Sequence, residues 1–482
     1  MHVRFITRFI GILILFLGTA MILPLLGSLY YRDGCAPALA WSALICCAFG
    51  ALLAVFSGAR GESPLSHRDG VAVVTLGWVT AGLAGTLPYL LSGTIPDFSN
   101  AYFESLSGFT TTGASILSEI EGLPEGILLW RSLTQWLGGM GIIVLSLAVL
   151  PLLGVGGMQL YKAEVPSPVV DKLKPRISET ARVLWKVYLL ITVAEVLLLL
   201  AGGMGLLDAL SHAFCTMPTG GFSTKNASIA HYRSAYFDYV VLVFMILAGI
   251  NFSLHYRALK GSPGIFRKDP ECRVFLGLVA FFTVVVTFDV HRTVYDGLLQ
   301  AFRYAAFQVG SIITTTGFVT ADYDQWPALS KLLLLLCMFL GGMAGSTGGG
   351  MKTMRVVLLV RHGYRELFRI VHPHAVTTVK LGNKAVPPDI LSGIWGFFIL
   401  YMGLFVTASL LMAAMGLDLI SALAAVAASL GNIGPGLGLV GPVKNYLYVP
   451  LAGKWLLIFC MLLGRLEIYT VLVLLTPEFW RK

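Results

Sequence analysis

Thr314-Thr315-Thr316-Gly317-Phe318 lies between an apolar run and the acidic segment Asp322-Tyr323-Asp324. A run of threonines ending in glycine can point successive backbone carbonyls along one axis, where they replace the water shell of an ion. The glycine supplies a φ above zero that a Cβ makes costly. Three other stretches vary the same theme: Phe109-Thr110-Thr111-Thr112-Gly113, Pro218-Thr219-Gly220-Gly221-Phe222-Ser223-Thr224 and Gly431-Asn432-Ile433-Gly434-Pro435-Gly436-Leu437-Gly438. When Gly113, Gly221, Gly317 and Gly434 are set equal, each follows an alanine by 12 residues: Ala101, Ala209, Ala305 and Ala422. The chain therefore reads as a fourfold internal repeat.

Composition sets the medium. Of 482 residues, 56% are hydrophobic and 12% charged, and mean hydropathy is +0.80; a soluble protein carries about 25% charged residues. The chain reads as one polytopic membrane unit. Its net charge of +9 is concentrated in a few loops, which points to topology rather than to nucleic acid. The seven cysteines are scattered without a C-x-x-C pair and read as reduced small hydrophobes.

Residues 5–30 and 36–56 form two apolar runs, the first too long for a signal peptide and without a small-x-small cleavage site. A recurring order then follows. Residues 71–91, 184–206, 274–290 and 390–415 go out; 100–115, 208–224, 298–318 and 419–438 re-enter; 130–150, 239–256, 332 onward and 455–475 come back. Basic residues collect after each return: Lys162, Lys172, Lys174 and Arg176; Arg257, Lys260, Arg267 and Lys268; Lys352, Arg355, Arg361, Arg365 and Arg369; Arg481 and Lys482. Two spans plus four times two predicts ten crossings, with both termini on the basic, cytoplasmic side. Asp97, Glu119, Glu121, Asp322 and Asp324 are expected at the outer mouths of the loops, where acids attract cations.

The re-entrant segments have about eight to ten residues before the turn, against about 20 for a span. Irregular backbone at membrane depth survives only against protein or water, and a half-helix aimed inward turns its negative end toward a central cation. The predicted fold class is an all-α integral membrane protein: ten transmembrane helices, with four membrane-pore-membrane repeats around a pseudo-fourfold pore and two extra N-terminal helices. The divisions are 1–70 for the two N-terminal helices, then repeats over 71–160, 161–260, 261–370 and 371–482.

Leu340-Gly341-Gly342-Met343-Ala344-Gly345-Ser346-Thr347-Gly348-Gly349-Gly350-Met351-Lys352-Thr353 falls inside the third return helix. Each glycine costs a helix about 1 kcal/mol, so the helix is expected to break there. The alternatives are a kinked helix packed through small residues and a phosphate loop, but Met351 before Lys352 breaks the G-K-T rule. Aligning the return helices gives Leu137-Gly138-Gly139, Leu247-Ala248-Gly249, Leu340-Gly341-Gly342 and Leu463-Gly464-Arg465. Arg465 stands where three units have glycine, and a charge at this depth faces a cavity or a partner. It could project beneath the turns as a barrier to cations, hydrogen-bonding loop carbonyls, or pair with Glu467. Lys352, at the end of the loop, could interact with that barrier.

The repeat and its motifs resemble the Trk/Ktr/HKT superfamily of potassium transporters, from about residue 71 to the C-terminus. The two extra N-terminal spans resemble its TrkH-like branch. The resemblance implies a potassium selectivity filter made of Thr111, Thr112, Gly113, Thr219, Gly220, Gly221, Thr315, Thr316, Gly317, Asn432, Ile433 and Gly434, with K+ as the transported ion. A serine at the first filter position accompanies sodium transport in some plant members; Gly113 therefore implies potassium. The second and fourth loops depart from a threonine run, which predicts looser selectivity than in a potassium channel. The resemblance also implies an intramembrane gate built from Gly345, Ser346, Thr347, Gly348, Gly349, Gly350, Lys352 and Arg465. It further implies a homodimer in the bacterial cytoplasmic (inner) membrane, controlled by a cytosolic nucleotide-binding (RCK-type, TrkA-like) regulatory subunit.

The chain itself holds no nucleotide-binding fingerprint, and no organic cofactor is expected in it. A symporter coupling potassium to protons or sodium is the alternative and would need a titratable group in the path. An intramembrane enzyme would need a set such as H-E-x-x-H, which is absent.

Overall fold

A computed structural model of the chain describes residues 2–57, 66–148, 177–375, 377–382 and 384–481. The predicted basic residues Lys162, Lys172, Lys174, Arg176 and Lys482, and the boundary at residue 160, lie outside the described residues.

Two apolar helices open the chain, Val3–Ala20 continuing through Ile22–Tyr31, and Ala36–Phe56. They cross closely at glycine: a Cβ on Gly50 would lie 2.6 Å from the Gly11 carbonyl oxygen, the close approach that small residues give to membrane helices.

Four outer helices follow at intervals: His67–Gly85, Ile177–Ala201, Pro270–Val290 and Pro388–Ala414. A capping box between Ser66 and Asp69 starts the first, and Asp269 caps the third through the Cys272 N–H. These helices are apolar nearly all round and leave Leu197, Phe281, Phe288, Ile399 and Leu410 exposed on their outer faces. That pattern fits a hydrocarbon solvent and not water.

Each outer helix leads to a short buried helix, Phe98–Phe109, Leu206–Thr216, Leu298–Ile313 and Leu419–Leu430, of 12, 11, 16 and 12 residues. They exceed the expected eight to ten residues but remain too short to span. Asp97 caps the first by accepting from the Asn100 N–H, and Asp418 caps the fourth by accepting from the Ser421 N–H.

The return helices differ from one another. Glu125–Ala148 is continuous as far as it is described. Ala235–Gly249 and Phe252–Leu259 are bent by 103° at their break, and Leu451–Arg465 meets the segment from Tyr469 at 114°. The third return helix stops at Cys337 and resumes only at Thr353. The glycine-rich stretch between is irregular backbone, so the expected break is present and the kinked-helix alternative is not.

Six helices are long and apolar enough to cross a membrane, or up to eight if each bent pair is one span, among the described residues. A two-residue antiparallel pairing, Lys380–Leu381 with Lys384–Ala385, is the departure from all-α structure in that set.

Candidate functional site

Each short helix ends in the same turn. The residue two before the aligned glycine is left-handed in all four: Thr111, Thr219, Thr315 and Asn432, with φ of 51, 58, 61 and 53°. The glycines follow with φ of 80, 74, 81 and 96°. A β-branched residue with positive φ is an outlier, whereas asparagine tolerates it. The alternation of left-handed and ordinary torsions flips successive peptide planes, so neighbouring carbonyls face one side.

The helix ends hold this geometry. The N–H groups of Thr112, Gly220, Thr316 and Ile433 donate to the carbonyls of Ser107, Cys215, Ser311 and Ala428, at 2.9, 2.8, 2.8 and 2.8 Å. Strain of about 1–3 kcal/mol per left-handed non-glycine residue persists only where the surroundings over-determine it. Four identical end-bonds do that.

The four turns close a cycle. A Cβ on Gly113 would collide with the Gly220 carbonyl oxygen, one on Gly221 with that of Thr316, and one on Gly317 with that of Ile433. A Cβ on Gly434 would lie 2.8 Å from the Thr112 carbonyl oxygen. First loop thus meets second, second third, third fourth, and fourth first, through residues more than 90 positions apart in the chain. Every one of the twelve residues named for the filter belongs to these turns.

Side chains behind the turns brace them. Nine residues before the aligned glycine stand Glu104, His212, Gln308 and Ala425. Glu104 accepts from Ser115 Oγ and the Ile116 N–H, both at 2.9 Å, and His212 Nε2 lies 2.9 Å from Ser223 Oγ. Gln308 lies 3.1 Å from Thr320 Oγ1. In the fourth loop Tyr446 donates its hydroxyl to the Gly434 carbonyl at 2.6 Å. None of these was picked out from the sequence, although polar residues in otherwise apolar half-helices were a readable signal.

Arg131 completes the first brace. Its Nε is 2.7 Å from Glu104, a second nitrogen donates to the Ser223 carbonyl at 2.8 Å, and the guanidinium lies 3.6 Å from the centre of the Phe222 ring. Glu104 is 0% and Arg131 3% exposed. Removing one partner of such a pair leaves the other charge buried, at a cost of about 3–5 kcal/mol. Arg131→Met should therefore lower the thermal midpoint markedly in detergent, and Glu104→Gln with Arg131→Met should recover part of it. Equal midpoints for Arg131→Met and wild type would refute the bracing role.

The glycine-rich loop lies against the base of the turns. Its Gly349 N–H donates to Thr315 Oγ1 at 2.7 Å, and Thr347 Oγ1 donates to the Met217 carbonyl at 2.9 Å. A Cβ on Gly349 would also strike the Gly431 carbonyl oxygen. The break in the second return helix holds the loop from the side: the Met343 N–H donates to the Gly249 carbonyl at 2.8 Å, and the Phe252 N–H to that of Gly345 at 3.1 Å. Glu271, on the third outer helix, accepts from the Ala344 N–H at 2.8 Å, another contact the sequence did not announce. Ser346, Thr347, Gly348 and Gly349 are buried, while Gly345 is exposed and Gly350 takes a φ of 68°.

Arg465 is 3% exposed. It donates to the Thr347 carbonyl at 2.7 Å and to that of Gly138 at 3.4 Å, so it bonds to loop and first return helix through carbonyls. The alternative pairing with Glu467 is not what forms: Glu467 accepts from Arg355 at 2.6 Å. Arg465 is the last residue of its helix, and Glu467, two residues on, is left-handed with φ 58°. Lys352 donates to the Gly348 carbonyl, so it closes the loop on itself.

The acids expected at the mouths are largely turn-builders. Besides Asp97, Asp322 accepts from the Asp324 N–H at 3.2 Å. Asp324 accepts from the Gly438 N–H at 3.2 Å and lies 3.8 Å from Lys444. Among the described residues there is no cluster of three or more His, Cys, Asp or Glu side chains able to hold a metal ion.

Apolar outer helices around four half-helices, whose turns close on one another, define a multi-pass membrane transport protein. The TrkH family, described as "Cation transport protein", matches residues 37–482, and the chain belongs to that family. It is 45% identical over 487 residues to the Trk system potassium uptake protein TrkH of Salmonella typhimurium, covering 100% of both chains. It is likewise 45% identical over 490 residues to the protein of the same name from Escherichia coli K12, again over 100% of both. The crystal structure of the potassium transporter TrkH from Vibrio parahaemolyticus matches with a TM-score of 0.91 and 42% identity over 100% of each chain.

Proposed function

We propose that this protein takes up potassium across the bacterial cytoplasmic membrane through a gated pore. The four turns are its selectivity filter, and the loop over residues 340–353 with Arg465 is its gate. The observation that carries the reading is the closed cycle of contacts among the glycine turns, which gathers backbone carbonyls from four parts of the chain. Carbonyl oxygens so gathered replace the hydration shell of an ion, and the four half-helices turn their negative ends toward it.

Ten crossings in four pore repeats around a pseudo-fourfold axis, with both termini cytoplasmic, complete this architecture. The membrane potential drives entry, each charge gaining about 2.3 kcal/mol per 100 mV. The similarity to named Trk system proteins supports potassium as the ion. A homodimer and a cytosolic nucleotide-binding subunit of RCK type belong to the same reading, the subunit docking on the basic inner loops.

The test is rubidium against sodium flux into liposomes holding the purified protein. Gly113→Ser puts a side chain where the Gly220 carbonyl stands and should reduce the preference for rubidium about tenfold, the size of roughly 1.4 kcal/mol. An unchanged preference would remove the filter assignment.

One observation favours a coupled symporter instead: Glu271 is fully buried and touches the loop through Ala344. Coupling to protons requires the reversal potential for potassium current to move with an imposed proton gradient. A reversal potential that follows potassium alone leaves the uncoupled pore.

A further inference from the structure

Gln135 lies in the first return helix, but its side chain reaches the second turn. Its Nε2 donates to the Gly220 carbonyl oxygen at 2.7 Å, and its Oε1 accepts from the Phe222 N–H at 3.1 Å. Donor and acceptor each meet a partner of the opposite kind, so the amide bridges the two residues flanking Gly221. It is fully buried.

The amide occupies a particular space. A Cβ on Gly220 would meet the Gln135 side chain, with Nε2 at 2.8 Å. The residue preceding the aligned glycine is Thr112, Thr316 or Ile433 in the other turns and Gly220 only here. The return helices show the reciprocal pattern: four residues before Gly139, Gly249, Gly342 and Arg465 stand Gln135, Met245, Met338 and Met461. Matching each return helix with the turn of the next unit, as Gln135 meets Gly220, sets Met245 with Thr316, Met338 with Ile433 and Met461 with Thr112: three matches join a methionine to a side-chain-bearing turn residue, and one joins glutamine to glycine.

The threonine turns have another brace. Thr110 and Thr112 hydroxyls lie 2.8 Å apart, and so do those of Thr314 and Thr316. The second turn has Pro218 and Gly220 at those places and can form no such pair. Gln135 supplies from outside what the turn lacks within. An unbraced left-handed turn of this kind would relax, because its strain is held only by surrounding contacts.

We propose that Gln135 is a specificity-determining positioning residue: its amide stands in for the missing side chain at Gly220 and fixes the carbonyl that this loop presents to the ion. This rests on the reading of the four turns as an ion-selective filter. The fixed carbonyl also differs from its three counterparts, because an N–H aimed at the oxygen weakens its pull on a cation, so the second loop is the weakest quarter of the ring.

The experiment is rubidium against sodium flux in liposomes for Gln135→Met, Gly220→Thr, the double variant and Gly113→Ser, each with a thermal midpoint. Gln135→Met should lower the rubidium preference about tenfold, as expected for one or two lost buried hydrogen bonds. Gly220→Thr alone meets the amide and should lose preference or fail to fold. The double variant recreates the methionine and threonine combination found elsewhere in the ring and should return to within about threefold of wild type, since contacting positions are not additive.

If Gln135→Met keeps the wild-type preference while Gly113→Ser changes it, the role of Gln135 is overturned and the filter stands. If neither changes the preference, the filter reading itself falls. Should Gln135→Met not fold, Gln135→Glu keeps the shape and the acceptor for Phe222 but removes the donor to Gly220. A lowered preference in that variant supports the proposal, and an unchanged one overturns it.

Discussion

Gly317→Ala is expected to abolish most rubidium uptake in liposomes while the protein still folds. The new methyl would face two costs at once. Alanine in the left-handed region is disfavoured by about 1–2 kcal/mol, and φ at Gly317 is 81°. The methyl would also strike the Ile433 carbonyl oxygen and lie 2.8 Å from Pro435 Cδ. Neither neighbour is the free end of a flexible side chain: one is backbone, the other a ring. Overpacking of this sort costs about 1–3 kcal/mol. A combined 3 kcal/mol against the conducting geometry corresponds to about a hundredfold loss of flux.

The cycle of contacts also predicts an order. A Cβ on Gly434 would find its nearest atoms at 2.8, 2.9 and 3.0 Å, looser than at the other three glycines. Gly434→Ala should therefore retain more flux than Gly317→Ala, Gly221→Ala or Gly113→Ala. Equal flux in Gly317→Ala and wild type would mean that the turn does not line the ion path.

Arg465→Ala should raise basal rubidium flux in the absence of any regulatory subunit, by about tenfold or more, and leave the ratio of rubidium to sodium unchanged. Two effects add. The hydrogen bond from Arg465 to the Thr347 carbonyl pins the glycine-rich loop, and a bond from a charged donor contributes about 1.5–3 kcal/mol. On the proposed gate reading, the guanidinium, bonded to the Thr347 and Gly138 carbonyls, is also a positive charge in the path that would repel an entering cation. Arg465→Lys would keep the charge but not the planar fork, so its leak should fall between the two. A changed ion preference without added leak would count against the gate.

Much of the site was legible because the physics is local. A bilayer excludes unpaired backbone, so a half-length apolar segment followed by glycine had to turn back. The break at residues 338–352 followed from glycine content alone. The four aligned glycines and the left-handed positions before them were within reach, since Thr111, Thr219, Thr315 and Asn432 all stood in the named turns. Their shared torsion was not, because threonine does not announce positive φ. The second role of the mouth acids was hidden for a similar reason: an aspartate before a helix caps it as readily as it attracts an ion.

What escaped the sequence was contact between distant parts. Nothing local to Gln135 says that it bridges Gly220 and Phe222, although glutamine among three methionines in register was a visible anomaly. Glu104 and Arg131 lie 27 residues apart, and Arg355 pairs with Glu467 across 112 positions. By itself the sequence determined the medium, the fourfold punctuation and the residues that must be glycine, since these depend on hydropathy and on torsions of single residues. Only the tertiary structure decided which turn presses on which, which side chain braces it and what Arg465 holds, because those depend on where separate helices pack, and helical periodicity carries no record of that.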